Sequence, residues 1–367
     1  MAIKVSGGNP PTNSLSFSEI ENEFGQNASR SLGDYRMNDL NIGALTEVSL
    51  SRDGCGISAN SSIPVDNQEI KFSDFFSAKQ NIIIDLHSSN QRRVNAKNDK
   101  YNASSASGNY TVVGSSGNSK PSSTSGKKVV IHVTKIIGSA TGSVNNVALR
   151  TGNWDSGTEV LVEVDGGTVI GAGGDGGVGA EGTSGRPGED GTSGLGVDYN
   201  GTKIQTAEGG LIACGFGGGG AGGGGDTKRE GSRWGSGRGP EVKAGGGGGG
   251  GGQGDPGGAG GTSPEGRNGT AGDHEQAGEG GEGAEVASRG DATINGGTGG
   301  EGGHTGDTSA DSGNSAFLSG GSHEDPYTAG GGGGGSNGAA IRKVSGINFT
   351  LIGSPNISGA TDQTGVS

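Results

Sequence analysis

The sequence is poor in the residues that build an ordinary core. Hydrophobic residues make up 27% of the 367 positions and aromatic residues 4%. A conventional oily core cannot hold most of such a chain together. Prolines number 10, too few for a collagen triple helix, which also needs an unbroken Gly-X-Y repeat. The two cysteines, Cys55 and Cys214, lie far apart and near no other thiol or histidine cluster. That argues against a disulfide framework and against a structural zinc site. No apolar run approaches the ~20 residues of a membrane span. Met1 to Pro11 lacks the charged and apolar regions of a signal peptide, so a soluble protein made in a cytoplasm is expected. Basic residues are also scarce: net charge is −13 and the pI is about 4.8. Nucleic acid is therefore an unsuitable partner.

Catalytic chemistry is equally thin. His87, His132, His274, His304 and His323 are scattered, and no two have metal-ligand spacing. There is no nucleophile elbow and no phosphate loop. Gly-x-Gly-x-x-Gly matches recur by chance in sequence this rich in glycine. The Gly-Asp pairs lack the register of a calcium-binding β-roll. Glu324 and Asp325 read as a solvated loop. The expectation is a protein that is not an enzyme and has no metal or cofactor.

What the chain does have is glycine: 68 of its 87 glycines lie between Gly166 and Ala340. Each costs roughly 0.5–1 kcal/mol more backbone entropy on folding than alanine. The stretch is either a disordered linker or a structure that uses the missing side chain. Gly173, Gly176, Gly179, Gly182, Gly185, Gly188, Gly191 and Gly194 keep a strict spacing of three. That is the period of a left-handed polyproline-II-type helix, and glycine on one face lets two backbones touch. Period-three runs suit outer helices with one wet face. Unbroken runs such as Gly245 to Gly252 suit an interior helix with neighbours on every side.

A short apolar lead-in recurs before the runs. Gly166-Gly167-Thr168-Val169-Ile170 resembles Gly209-Gly210-Leu211-Ile212-Ala213, with a weaker copy at Asp291 to Asn295. A linker has no reason to repeat such an element.

Upstream, two other textures appear. As far as about Gln80 there are small pieces. Ser16-Phe17-Ser18-Glu19 reads as a capping box starting a helix with Ile20 and Phe24 on one face. Ser31 to Tyr35 and Phe72 to Phe76 each offer two or three apolar residues. These suggest a docking module completed by a partner, with Phe17, Ile20, Phe24, Tyr35, Phe72 and Phe75 as attachment residues; a modest independent domain is the alternative. From Asn81 to Val164, β-branched runs separated by Ser- and Gly-rich loops read as a compact antiparallel β domain. Its strongest strand is Lys127 to Ile137, and Trp154 is a core anchor.

Ser16 to Gly25, Ser31 to Tyr35 and Ile70 to Phe76 together are similar to a short module of tailed-phage virion proteins. Val162 to Gly174, leading into the glycine repeats, resembles the glycine-rich adhesins at the tips of phage tail fibres. The resemblance touches both ends of the chain and covers about half of it. The long β-rich middle unit departs from the short tip adhesins. The residue patterns and the resemblance together give the expectation of a fold that is mostly β and irregular. It has a small N-terminal attachment module (1–80), a β-rich, sandwich-like middle domain (81–165) and a polyglycine-II helix sandwich with projecting loops (166–345). A closing segment (346–367) ends it.

The function implied is that of a receptor-binding protein on the virion tail, assembled in the host cytoplasm. Its partners would be other tail proteins and a bacterial outer-membrane protein or polysaccharide, without membrane insertion, and several copies per virion are compatible with it. Trp234 with Arg229, Arg233 and Arg238 has the composition of a binding hot spot: an amphipathic ring beside forked donors. Phe317, His323 and Tyr327 form a second candidate patch, and Tyr199 is a third. A purely structural tail component is the competing reading.

Overall fold

The computed structural model describes residues 16–24, 69, 71–72, 81–88, 91–103, 110–112, 120–207, 209–227, 242–287, 293–319 and 326–366. Among these, strands dominate and helix is scarce. The capping box starts a short helix, Phe17–Phe24. There the Ser16 N–H donates to Glu19 Oε2 at 2.8 Å, and Ile20 is fully buried. Phe17 is half-buried and Phe72 exposed. Phe24 ends the helix; its side chain, with Tyr35 and Phe75, lies outside the described residues.

The strands from Asn81 onward wind into stacked coils. Coil one is Asn81–Leu86, Gln91–Arg92 and Val94–Asn95. Coil two is Lys128–Val133, Ile136–Gly138 and Val147–Arg150. Coil three is Glu159–Val164, Thr168–Ile170 and Ser193–Val197. Coil four is Thr202–Thr206, Leu211–Ala213 and Ile341–Lys343. Coil five is Phe349–Leu351, Ile357–Ser358 and Gln363–Thr364.

Each strand pairs in parallel with its counterpart in the next coil, so three parallel sheets run the length of the stack. This is a parallel β-solenoid. The antiparallel, sandwich-like unit expected over 81–165 is corrected by these pairings. Among these coils the antiparallel partner is Tyr110–Val112, which covers the outer edge of Asn81–Leu86.

Parallel stacking explains the uninterrupted apolar runs, since parallel strands are buried on both faces. Register aligns like with like. Ile82, Val129 and Val160 form one ladder, and Ile84, Ile131, Val162 and Ile204 another. Val94, Leu149, Leu195 and Ile341 form the ladder of the third sheet, and all are buried. Trp154 is buried against Tyr101, and its Nε1–H donates to the Thr151 carbonyl at 2.9 Å. The solenoid also crosses the composition boundaries at 165 and 345, because strands from both sides share its sheets.

The glycine region is a pair of excursions from this stack. Both leave between the second and third strands, from 171 to 192 in coil three and from 214 to 340 in coil four. The two lead-in repeats found in the sequence are therefore neighbours, with Val169 opposite Ile212 in parallel register. The weaker third copy, Thr293–Asn295, belongs to a different sheet.

Within the excursions, extended segments pass back and forth as a slab and hydrogen-bond through their backbones. Segment 214–224 bonds to 171–181, 184–192, 245–254, 296–304, 309–316 and 329–340. Segment 245–254 bonds to 171–181, 214–224, 256–262, 267–273, 277–284 and 296–304. Partners repeat every third residue. Along one pair of segments, the N–H groups of Phe216, Gly219 and Gly222 donate in turn to the carbonyls of Gln253, Gly250 and Gly247.

The close approach explains the composition. A Cβ at Gly219 would lie less than 3.0 Å from the Gly300 carbonyl oxygen, and one at Gly249 equally close to that of Gly219. Gly173, Gly176, Gly179, Gly185 and Gly188 meet backbone atoms the same way. Gly182 differs: its φ of +58° marks a turn. Gly330 and Gly333 are exposed on segment 329–340, and a Cβ there meets nothing within 4 Å.

On the outer face of the first sheet, Asp85, His132 and Glu163 stack in register, with Gln205 bonded to Glu163 at 2.8 Å. His132 Nδ1 lies 3.5 Å from Asp85, and Nε2 lies 3.8 Å from Asp165. Burial alone would pull the imidazolium pKa down. The hydrogen bond and charge of Asp85, with the charges of Glu163 and Asp165, outweigh it and raise the pKa above its usual 6.5.

The close packing of the slab and the His132 ladder can each be tested by substitution. Gly219→Ala should lower stability by at least about 1–3 kcal/mol through overpacking. Gly333→Ala should be neutral or stabilise by up to ~1 kcal/mol by restricting the unfolded chain; chemical denaturation of both variants measures the difference. The raised pKa of His132 favours its protonated form in the folded state. Its contribution is then full below pH 6.5 and is lost as pH rises through the folded value. Denaturation midpoints of the native protein should therefore fall across that window relative to His132→Gln, which should lack this component.

Candidate binding face

The two ends of the slab differ. At the solenoid end its turns are tight and polar. Asp255 joins slab to solenoid: Arg92 Nη2 donates to its carboxylate at 2.8 Å, and the Ser139 N–H donates to its carbonyl at 2.9 Å. At 273–276 the Asp273 carboxylate accepts the N–H groups of Glu275 and Gln276. At 304–307 the Asp307 carboxylate accepts the His304 N–H.

At the opposite end, three longer excursions emerge, rooted in short strands. Gly225–Thr227 pairs antiparallel with Val242–Ala244 on one side and Pro326–Thr328 on the other. Thr293–Asn295 pairs antiparallel with Glu285–Ala287 and Phe317–Ser319. Ile294 is buried under this layer, where a Cβ on Gly225 would meet its Cγ2. The turns at 181–184 and 263–266 join the same end through the Glu181–Gly245 bridge and the Ser263 hydroxyl, which donates to the Gly246 carbonyl at 2.7 Å. One face thus gathers segments that are up to about 150 residues apart in sequence (181 to 328).

Of the candidate residues, the described strands bring Phe317 and the backbone of Tyr327 to this face. The segment carrying Arg229, Arg233, Trp234 and Arg238 is closed by the pairing of Gly225–Thr227 with Val242–Ala244, although those four residues lie outside the described ones. Phe317 is 57% exposed, in the strand next to Leu318. Tyr327 sits opposite Asp226, with its side chain outside the described residues, as is His323.

Tyr199 is elsewhere. It lies at the corner between coils three and four, partly buried against the core. Its hydroxyl donates to the Asp155 carbonyl at 2.8 Å and accepts the Thr158 N–H at 3.1 Å. The structure gives it a packing role in the solenoid, correcting its place among the binding residues. The clue available in sequence was its position right after Leu195 to Val197, an alternating strand rather than a loop.

Among the described residues, no group of three His, Cys, Asp or Glu side chains could hold a metal, and no helix is long and apolar enough to cross a membrane. Cys214 is a buried free thiol, and burial pushes its pKa up to about 12.

Fold and face together define a β-solenoid that carries a glycine slab with a loop-bearing tip. No family model and no curated protein matches the chain. Among solved structures, the gp37–gp38 adhesin tip complex of the long tail fibre of bacteriophage S16 is similar. It is 20% identical, with a TM-score of 0.40, over 82% of this chain and 90% of that one.

The placement of Tyr199 has a testable consequence. Tyr199→Phe should cost about 1 kcal/mol of stability by removing the hydroxyl's bond to the Asp155 carbonyl, while the Thr158 N–H keeps that carbonyl as its acceptor at 3.1 Å. Ligand capture at the loop end should be unchanged, as read by melting and binding measurements in parallel.

Proposed function

We propose that the protein is a receptor-binding adhesin of a phage tail, with the glycine slab as a polyglycine-II lattice and the loop end as its recognition face. The observation that carries this reading is the convergence of three long excursions on the slab end away from the solenoid, while turns at the other end are tight. A lattice without side-chain rotamers provides a stiff mount, so less freedom is lost when the loops engage a ligand. Arg229, Arg233, Arg238 and Trp234 supply forked donors and a flat ring for sugar phosphates or carboxylates, and Phe317, His323 and Tyr327 supply a neighbouring patch. The receptor class is an outer-membrane protein or a surface polysaccharide. Phe17, Ile20, Phe24, Tyr35, Phe72 and Phe75 belong to the part that mounts on other tail proteins.

The test is competition. Purified protein should bind host cells and block phage adsorption. Combined replacement of Arg229, Arg233 and Trp234 by alanine should weaken binding by about 30-fold or more, the scale of a hot spot, with the melting transition unchanged. Folded protein that binds no host cell would instead support a purely structural tail component. Undiminished competition by the triple variant would move recognition to other loops.

A further inference from the structure

The outer face of the first sheet is dry. Its inward ladders, Ile82–Val129–Val160 and Ile84–Ile131–Val162, fill the core, so the ladder between them, Ile83, Val130 and Leu161, points outward. Without a cover, that ladder would face water. Its residues are only 1%, 2% and 3% exposed, yet none of them is part of the solenoid core. Lys128 and Glu163, on the outward ladders to either side, are equally buried. The outer face of the second sheet differs. There Ile136, Thr168 and Leu211 are half-buried, and Arg92 is exposed.

A cover therefore lies across the first sheet from coil one to coil three, and it is apolar where it meets the middle ladder. The slab is not that cover. Its excursions leave between the second and third strands of their coils, at the corner opposite the first sheet. The stretches 104–109 and 113–119 lie close to the sheet in sequence, outside the described residues, but they are mostly Ser, Gly and Asn. They lack the apolar side chains to match three aliphatic residues.

We infer that the outer face of the first sheet is an intramolecular docking surface, and that its occupant is the chain's own segment 25–68, which lies outside the described residues. Three features select that occupant. The segment has the chemistry: Leu40, Ile42, Leu45, Val48 and Leu50 fall close together within it. It is also tethered to this sheet. Asn81 opens the sheet's strand in coil one, and the chain from 72 to 81 spans at most ~32 Å when fully extended. A link this short holds the segment near the face at an effective concentration on the order of millimolar. Finally, the small N-terminal pieces are too poor in apolar residues to fold alone, yet Ile20 of the helix Phe17–Phe24 is fully buried. Docking lets the solenoid of the same chain complete them. The N-terminal part and the glycine slab are then joined through coils one to three as one body, without a free hinge at 73–80.

Photo-cross-linking of the full chain tests this. Met1 and Met37 are its two methionines. Leu161→Met, a volume-conserving change, therefore adds one site in the outward ladder for a photoactivatable methionine analogue. Cross-links from position 161 into 25–68 of the same chain are expected. Cross-links from 161 to any other part, cross-links between copies, or solvent adducts alone overturn the inference. Val130→Cys, combined with Cys55→Ser, reads the cover independently. Cys214 is buried with its pKa pushed up to about 12, which leaves the thiol at position 130 as the reactive one. Its labelling in the folded chain should be slower than in denaturant by about 100-fold or more, because the reagent reaches it only through local opening. Labelling at the denatured rate overturns the inference as well. Neither readout involves cell binding, so failure of the adhesin reading leaves it intact, and the reverse holds too.

Discussion

The slab depends on one constraint: two backbones packed so closely that a single methyl group cannot fit between them. At Gly219, Gly222 and Gly249 the space for a Cβ is taken by a neighbouring carbonyl. Glycine is costly in backbone entropy, but only glycine permits this approach. Backbone N–H and C=O groups then satisfy one another in every direction across the interior. The lattice is thus held by polar main-chain contacts where most domains rely on apolar side chains. The low hydrophobic content is consistent with this, because the oily core is confined to the solenoid.

That solenoid and the slab depend on each other geometrically. Segment 214–224 has neighbours all round and starts directly from Leu211–Ala213, whose strand is flanked by Thr168–Ile170 and Ile357–Ser358. The parallel spacing of adjacent coils therefore sets the spacing of the first glycine segments that leave them. Arg92 and Asp255 add a second tie, between coil one and a turn within the slab.

Much of this was legible in the sequence, for local reasons. The capping box at Ser16 and Glu19, the runs at Asn81 and Lys128, and the three-residue clock all depend on neighbours within a few residues. The split between interior and edge segments was legible only in part: the runs at 217–225 and 245–252 are interior, but Gly330 to Gly335, an unbroken run as well, lies on an edge segment with Gly330 and Gly333 exposed. Strand direction was not. Lys128–Val133 and Ile136–Gly138 read as one continuous strand from Lys127 to Ile137, but the chain turns a corner at Thr134 and the two halves join different sheets. Pairing partners such as Val197 and Lys343 are separated by the whole glycine excursion, and no local pattern links them. The role of Tyr199 is hidden for the same reason: its partners, Asp155 and Thr158, are more than forty residues away.

The excursions also obey a rule of parity. Each leaves the solenoid and must return to it, and every segment spans the slab from one end to the other. An odd number of segments would strand the chain among the loops, so a slab of this kind can grow or shrink only by pairs. Within a segment, the inward-facing positions recur every third residue, so an insertion that is not a multiple of three would turn bulky side chains toward neighbouring backbones. The loops have neither restriction. Variation in such a protein is thereby channelled into the loop end, by the arithmetic of the lattice itself.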